Sequence, residues 1–350
     1  MLIAVHGGPF HADDCFSCAL LTLLHPEAEL ARGLPETELA TAEIVVDTGL
    51  VYDPDHHRFD HHQRGFAESR SNGVPFSAFG LLWRHRGADF VTRFRRLPAG
   101  VLSTEAFESE LMRAVDKRLV EPVDAVDNGW FYIGVRKAYQ GHGLVPYDLF
   151  DVLDAFRPID DSEVALSWAF SKAVALCREI LLGTLLRCER EVLASQVVAG
   201  ELGRARAEGR LYLELPGSLP FREYLLDLEE GLTPPFSTLE LAEYSPSVLF
   251  VLYPKAREGK TQWYVEALPH SRERFENRRS LPEPWGGRSG EELAKVSGVA
   301  GAAFCHRNLF LCAARTREDA LALLGKALGS RTVEGPQARR KEGYDSSTML

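Results

Sequence analysis

The 350-residue chain is 45% hydrophobic and 26% charged, a balance that suits a folded protein with room for two cores. Its net charge of −10 excludes a surface built for long duplex DNA, which needs a basic face, but leaves room for a short nucleotide held by cations and a few arginines. No apolar run reaches the roughly eighteen residues of a membrane span, and the best one, Ala173 to Leu186, is broken by Arg178 and Glu179.

Leu2 to Val5 is a short apolar run that ends in a glycine-rich turn, so a strand is expected there. With neither a basic leader nor a long apolar stretch at this end, no signal peptide is expected, and a cytoplasmic location follows as the default. Cys15 to Leu24 reads as a helix. Ile44-Val45-Val46 reads as a β-branched strand ending at Asp47-Thr48-Gly49. Phe76 to Trp83 and Glu105 to Val126 carry helical spacing. Strands separated by helices predict an α/β fold with a mainly parallel sheet and flanking helices. Ligand groups gather beyond the carboxyl ends of such strands, where His6, His11 and Asp47 fall.

From Ser162 to Arg206 the chain is helix-compatible without a proline, which predicts one long helix or a pair. Leu211-Tyr212-Leu213, Ser247 to Tyr253 and Gln262 to Leu268 then look like strands, and Arg317 to Leu328 like a closing helix. The expected domains are 1–160, a helical linker 161–209, a smaller C-terminal α/β domain 210–330 and a flexible tail 331–350. Cys15 and Cys18 form a C-x-x-C with no second copy, so the six cysteines read as reduced core residues.

Seven of the eleven histidines lie in the first 62 residues, and they come with carboxylates. His6, His11, Asp13 and Asp14 share one turn between strand and helix. Asp47 closes the second strand, Asp60-His61-His62 follows, and Asp124 and Asp127 end a helix three residues apart. A carboxylate can bridge two cations about 3.5–4 Å apart, so that both act on one water. Mixed imidazole and carboxylate donors suit manganese, with magnesium, cobalt, iron or zinc as alternatives, and the lack of thiolates argues against structural zinc.

The ordered set H-x-x-x-x-H-x-D, D-T-G, D-H-H-Q-R and D-x-x-D-N-G resembles the MYG1 (UPF0160) family, a branch of the DHH phosphoesterase superfamily. The similarity continues through Tyr253-Pro254, Trp263, Phe275-Glu276, Arg279 to Trp285, Val296-Ser297-Gly298 and Phe304-Cys305-His306, so it spans roughly Leu2 to Leu328. This resemblance implies a two-domain DHH-type phosphoesterase with a cleft between catalytic and substrate-side domains, acting as a metal-dependent 3′→5′ RNA exonuclease. It implies His6, His11 and Asp47 as ligands of one metal. Asp13, Asp47, His61 and Asp127 hold the second, with Asp47 bridging and Asp124 the alternative to Asp127. The catalytic set is then His62, Asp13 and Asp47, with His62 bonded to the phosphate or the attacking water. The expected cofactor is a divalent pair, manganese first, and the expected partner is short RNA, an oligonucleotide or a small phosphoester.

One stretch departs from the family pattern. Related phosphodiesterases bring a glycine-rich loop to the phosphate, whereas Leu311 to Glu318 contains no glycine. Arginines are the alternative phosphate donors, and Arg278, Arg279 and Arg315 are nominated with His306 for the substrate side. Arg272 to Arg288 also reads as a plain solvated basic loop, and Trp285 as either a base-stacking or a packing residue. Two other functions fit the same residues, a small-molecule pyrophosphatase or nucleotide phosphatase and a metal-binding protein that has lost turnover.

Overall fold

The computed structural model describes residues 1–96, 104–130, 141–145, 147–229, 248–257, 259–270 and 276–329. The expected tail 331–350 and the part of the basic run at 271–275 lie outside them. The described residues form two compact units that meet in sequence at Leu193 and Ala194.

The first unit is built on a five-stranded sheet. Strand β1 (Leu2–Val5) pairs in parallel with β2 (Glu29–Arg32) and with β3 (Ile44–Val46), and β3 pairs in parallel with β5 (Arg58–Phe59). Only the edge strand β4 (Tyr52–Asp53) runs antiparallel, so the order is β2-β1-β3-β5-β4. Helix α1 (Ala12–Leu24) starts directly after the first turn and is buried along its whole length. That explains why Cys15 and Cys18 behave as small apolar residues.

Helix α2 (Ala78–Phe94) is longer than the run Phe76 to Trp83 suggested. The expected helix from Glu105 to Val126 is three contiguous pieces: α3 (Glu105–Val115), a π turn (Asp116–Val120) and α4 (Glu121–Asp127). The wide turn closes with the Glu121 N–H on the Asp116 carbonyl, just before Pro122, which has no N–H to give. A short helix, α5 (Leu149–Asp154), was not anticipated.

The expected linker is one helix, α6 (Glu163–Ala207), of 45 residues and roughly 67 Å. Ala169, Phe170, Ala173, Cys177, Leu181 and Val192 belong to the first unit's core, while Val198, Leu202 and Ala205 belong to the second's. Among the described residues no helix is long and apolar enough to cross a membrane.

The second unit has its own five-stranded sheet, in the order β6-β7-β8-β10-β9. Its strands are β6 (Tyr212–Glu214), β7 (Phe250–Arg257), β8 (Lys260–Ala267), β9 (Ala302–Cys305) and β10 (Leu311–Ala314). Only β6 and β7 pair in parallel. Alternation sends Leu252, Val265 and Cys312 to one core and Val251, Tyr264 and Ala313 to another. Helices α7 (Arg222–Glu229), α8 (Gly290–Ser297) and α9 (Arg317–Gly329) complete the unit. Trp285 is 3% exposed inside the first of these two cores, which is the packing role.

Candidate metal centre

The turn after β1 is built for close approach. A Cβ on Gly7 would lie 2.9 Å from the Cα of Gly33, and Gly8 adopts φ +75°, so neither position takes a side chain without strain. The Gly8 N–H donates to Glu163 at 3.1 Å, and Arg32 donates to the Gly8 carbonyl at 2.5 Å. His6 is thereby held at the carboxyl end of β1. Its Nδ1 lies 2.8 Å from the Gly7 carbonyl, which can only accept, so Nδ1 carries the proton. Nε2 then faces Asp14 Oδ2 at 2.6 Å and Asp47 Oδ2 at 3.4 Å.

Asp47 follows β3 in the left-handed region, with φ 56°, a conformation that costs on the order of 1 kcal/mol in a residue other than glycine. Its N–H bonds the Phe59 carbonyl at 3.0 Å, which fixes the side chain at the sheet's end. The two carboxylate oxygens face different neighbours. Oδ2 looks to His6, while Oδ1 lies 3.6 Å from His61 Nε2 and 3.5 Å from His62 Nδ1. His61 Nε2 also stands 3.3 Å from Asp127 and 3.9 Å from Asp13. Two groups with metal-ligand spacing result, His6–Asp14–Asp47 and Asp13–His61–Asp127, with Asp47 joined to His61 and His62 in a third.

Electrostatics show the strain of this crowding. Burial pushes the Asp13 carboxyl well above the usual range, and the charges of Asp47, Asp127 and Asp14 add to it. Asp127 is pushed up by burial and by Asp47, against the pull of His61. Burial lowers the pKa of His6, but the adjoining Asp14 and Asp47 carboxylates outweigh it and raise it to about 9. His61 is raised in the same way, burial being overcome chiefly by Asp47 and Asp127. His6 Nε2, both oxygens of Asp13, Asp14 Oδ2, Asp47 Oδ1 and His61 Nε2 are buried without an aligned hydrogen-bond partner. Each such atom costs about 1–3 kcal/mol if left so, and a divalent cation satisfies lone pairs and anionic oxygens together. The donor set fits a divalent metal.

The two aspartates left open by the sequence separate cleanly. Asp127 joins the cluster, whereas Asp124 is fully buried beneath α2, accepting from Ser77 Oγ at 2.6 Å, from the Gly80 N–H at 3.0 Å and from Arg70. A Cβ on Gly80 would collide with that carboxylate. Asp124 is thus committed to packing α4 on α2. His11 is the exposed N-cap residue of α1, its ring stacks 5.8 Å from that of His6, and it lines the same cleft. Asp14 Oδ2 is the carboxylate oxygen at 2.6 Å from His6 Nε2. His62 is 54% exposed, and its Nδ1 donates to the buried Asp60 at 2.8 Å, leaving Nε2 for the cleft. Asp60 is fully spoken for, since its other oxygen accepts the Leu50 N–H at 2.6 Å. His56 only pairs with Asp53 at the surface.

The cluster opens into a cleft of about 890 Å³, walled by Asp47, His61 and His62 on one side and by Phe150, Asp154 and Arg157 among others. In the second unit, Arg278 donates to the carbonyls of Pro269 and Val248, and Arg279 donates to that of Leu328. His306 Nδ1 accepts from the Asn308 N–H at 3.1 Å, and its ring sits 4.6 Å from that of Phe310. Arg315 is exposed just after β10. The glycine-poor stretch Leu311–Ala314 is a strand between β8 and β9 rather than a loop, with Cys312, Ala313 and Ala314 buried.

The model of an uncharacterised protein family, UPF0160 (MYG1), matches residues 2–328 of this chain. A human protein named MYG1 exonuclease is 33% identical over 355 aligned positions, covering 94% of this chain and 86% of that protein. A MYG1 protein of Dictyostelium discoideum is 27% identical, covering 94% and 96%. A solved pGpG-specific phosphodiesterase from Vibrio cholerae aligns over 93% of this chain and 96% of its own at 16% identity, but with a TM-score of 0.21 that supports no common fold.

Proposed function

The chain belongs to the MYG1 (UPF0160) family, and from that premise we propose that it is a metal-dependent phosphoesterase of the DHH type that trims short RNA from the 3′ end. One observation carries the proposal: the two oxygens of Asp47 face two separate groups of buried, unpaired donors. That is what a bridging ligand of two cations requires. A bound pair, manganese first among the candidates, supplies a water of lowered pKa and positive charge beside the phosphate.

The chain's own residues do the rest. Asp13, Asp14 and Asp127 hold their oxygens where cations are wanted, fixed by the first turn of α1 and the last turn of α4. Asp60 fixes the tautomer of His62 by taking its Nδ1 proton in a hydrogen bond. Nε2 of His62 then accepts from the attacking water when the ring is neutral, and donates to a phosphate oxygen when the ring is doubly protonated, from the exposed side of the cleft. The nomination of Arg278, Arg279, His306 and Arg315 as substrate contacts stays part of the proposal.

Purified protein incubated with manganese and a 5-mer RNA, a dinucleotide, pyrophosphate and a generic phosphodiester tests this. Mononucleotides released stepwise from the 3′ end, and lost with a chelator, are the expected result. Preference for pyrophosphate would replace it with the small-molecule phosphohydrolase, and metal binding without any turnover would leave a binding protein.

A further inference from the structure

The cleft beside the cluster is strongly acidic. Asp47, Asp127, Asp151 and Asp154 line it, and Arg157 is the one Lys or Arg among the described residues that does. Cations at the cluster would balance the carboxylates around a scissile phosphate. They leave a neighbouring phosphate, farther along the same strand, facing Asp151 and Asp154, with Arg157 the one Lys or Arg among the described lining residues to offset them.

Arg157 is built to take that phosphate. Its Nη2 donates to the carbonyl of Phe10 at 2.7 Å, the residue immediately before His11 at the cleft, and this tether orients the guanidinium plane. Its Nη1 pairs with Asp154 at 3.1 Å, but Arg157 is 36% and Asp154 66% exposed, so the pair is weak and easily exchanged for a stronger anion. Nε has no partner among the described residues. A planar donor fork with one tethered edge is the geometry that binds phosphate in two places at once.

We propose that Arg157 binds the phosphate next to the scissile one, so that the site prefers a polynucleotide to a lone phosphoester. This rests on the phosphoesterase assignment of the same cleft.

The full chain with manganese, as wild type, R157A and R157K, is assayed on a 5-mer RNA and on bis(p-nitrophenyl) phosphate, which has a single phosphate. Anisotropy of a labelled 5-mer gives binding separately from turnover. Losing a charge-assisted contact should weaken RNA affinity and raise its KM about tenfold or more in R157A, with kcat and the small diester nearly unchanged. R157K should fall between, and the salt slope of log Kd in R157A should shrink by about 0.7, one phosphate contact on a single strand. Equal losses on both substrates would reassign Arg157 to holding the Phe10 carbonyl. Unchanged RNA affinity in R157A, or no RNA binding by the wild type, overturns the proposal. Arg157-dependent RNA binding with neither substrate hydrolysed would keep it and overturn the phosphoesterase assignment instead.

Discussion

The carboxylates of the first unit's cluster and the buried carboxylates of the second unit are treated in opposite ways. In the second, Glu201 is paired with Arg204 and Arg210, and Glu266 takes Arg222 and the Tyr253 hydroxyl, so each buried anion has a cation beside it. In the first, Asp13, Asp14 and Asp47 are at most 4% exposed, and the cationic side chains near them among the described residues are imidazoles. Buried charge without a counter-ion is expensive, so the fold keeps it only where something bound repays it. The same contrast recurs three residues apart within α4, where Asp124 has its arginine and Asp127 has none among the described residues.

The largest effect should come from the residue at the centre of this contrast. Asp47→Asn, which tolerates the left-handed backbone, should lose both metals by elemental analysis and lower activity on the order of a thousandfold. Without metal it should be at least as heat-stable as the parent, since one of several like charges is gone. A less stable metal-free variant would mean the cluster is already paired by itself.

Asp124→Ala should show the opposite. It leaves Arg70 with Asp116 as its remaining carboxylate and takes the acceptor from Ser77 Oγ and the Gly80 N–H, and should cost about 1–3 kcal/mol in denaturant unfolding while metal stoichiometry stays intact. Asp127→Ala should weaken metal binding with little change in unfolding. Equal metal loss in both would erase the division within α4.

Glu266→Ala extends the test to the second unit, leaving Arg222 and Tyr253 without their acceptor. A loss of about 1–3 kcal/mol with unchanged metal content is expected, and any change in metal content would deny the units' separate roles. His62→Ala, at the half-exposed edge of the cluster, should keep its metals and lose roughly a hundredfold in kcat, within the range for a positioned proton donor. Ala313→Gly comes last, at about 0.5–1 kcal/mol of stability, because a strand interior gains only backbone freedom there. An improved KM in that variant would return Leu311–Ala314 to the substrate side.

Much of this was legible in the sequence, and the gaps have physical causes. His6, Asp47 and His61 stand in motifs at strand ends, where an α/β sheet gathers its ligand groups, and they converge. Asp14 escaped because an acid in the first turn of a helix reads as a cap, and one of its oxygens is a cap, accepting the His11 N–H at 3.0 Å. Only coordinates reveal that the other oxygen faces His6. Arg157 escaped because a lone arginine between helices carries no period, while the basic run drew notice by number; in it Arg278 and Arg279 donate to backbone carbonyls. Strands β1 and β3 announced themselves by apolar runs, whereas β2 (Glu29-Leu30-Ala31-Arg32) and the two-residue β5 carry no such run. Strands β9 and β10 did not, since Ala302–Cys305 and Leu311–Ala314 are four residues each and rich in alanine.

The helix shared by the two units also has a bearing on synthesis. Every carboxylate of the cluster has left the ribosome once Asp127 has, yet the first core still lacks its α6 residues, of which Val192 follows 65 positions later. At about 5–20 residues per second that interval is roughly 3–13 s. During it, the nascent chain carries a set of mutually repelling aspartates with no completed core to hold them together. A divalent ion captured in that window would act as a folding aid before it ever served as a cofactor, and metal starvation during expression would lower the yield of soluble protein rather than only its activity.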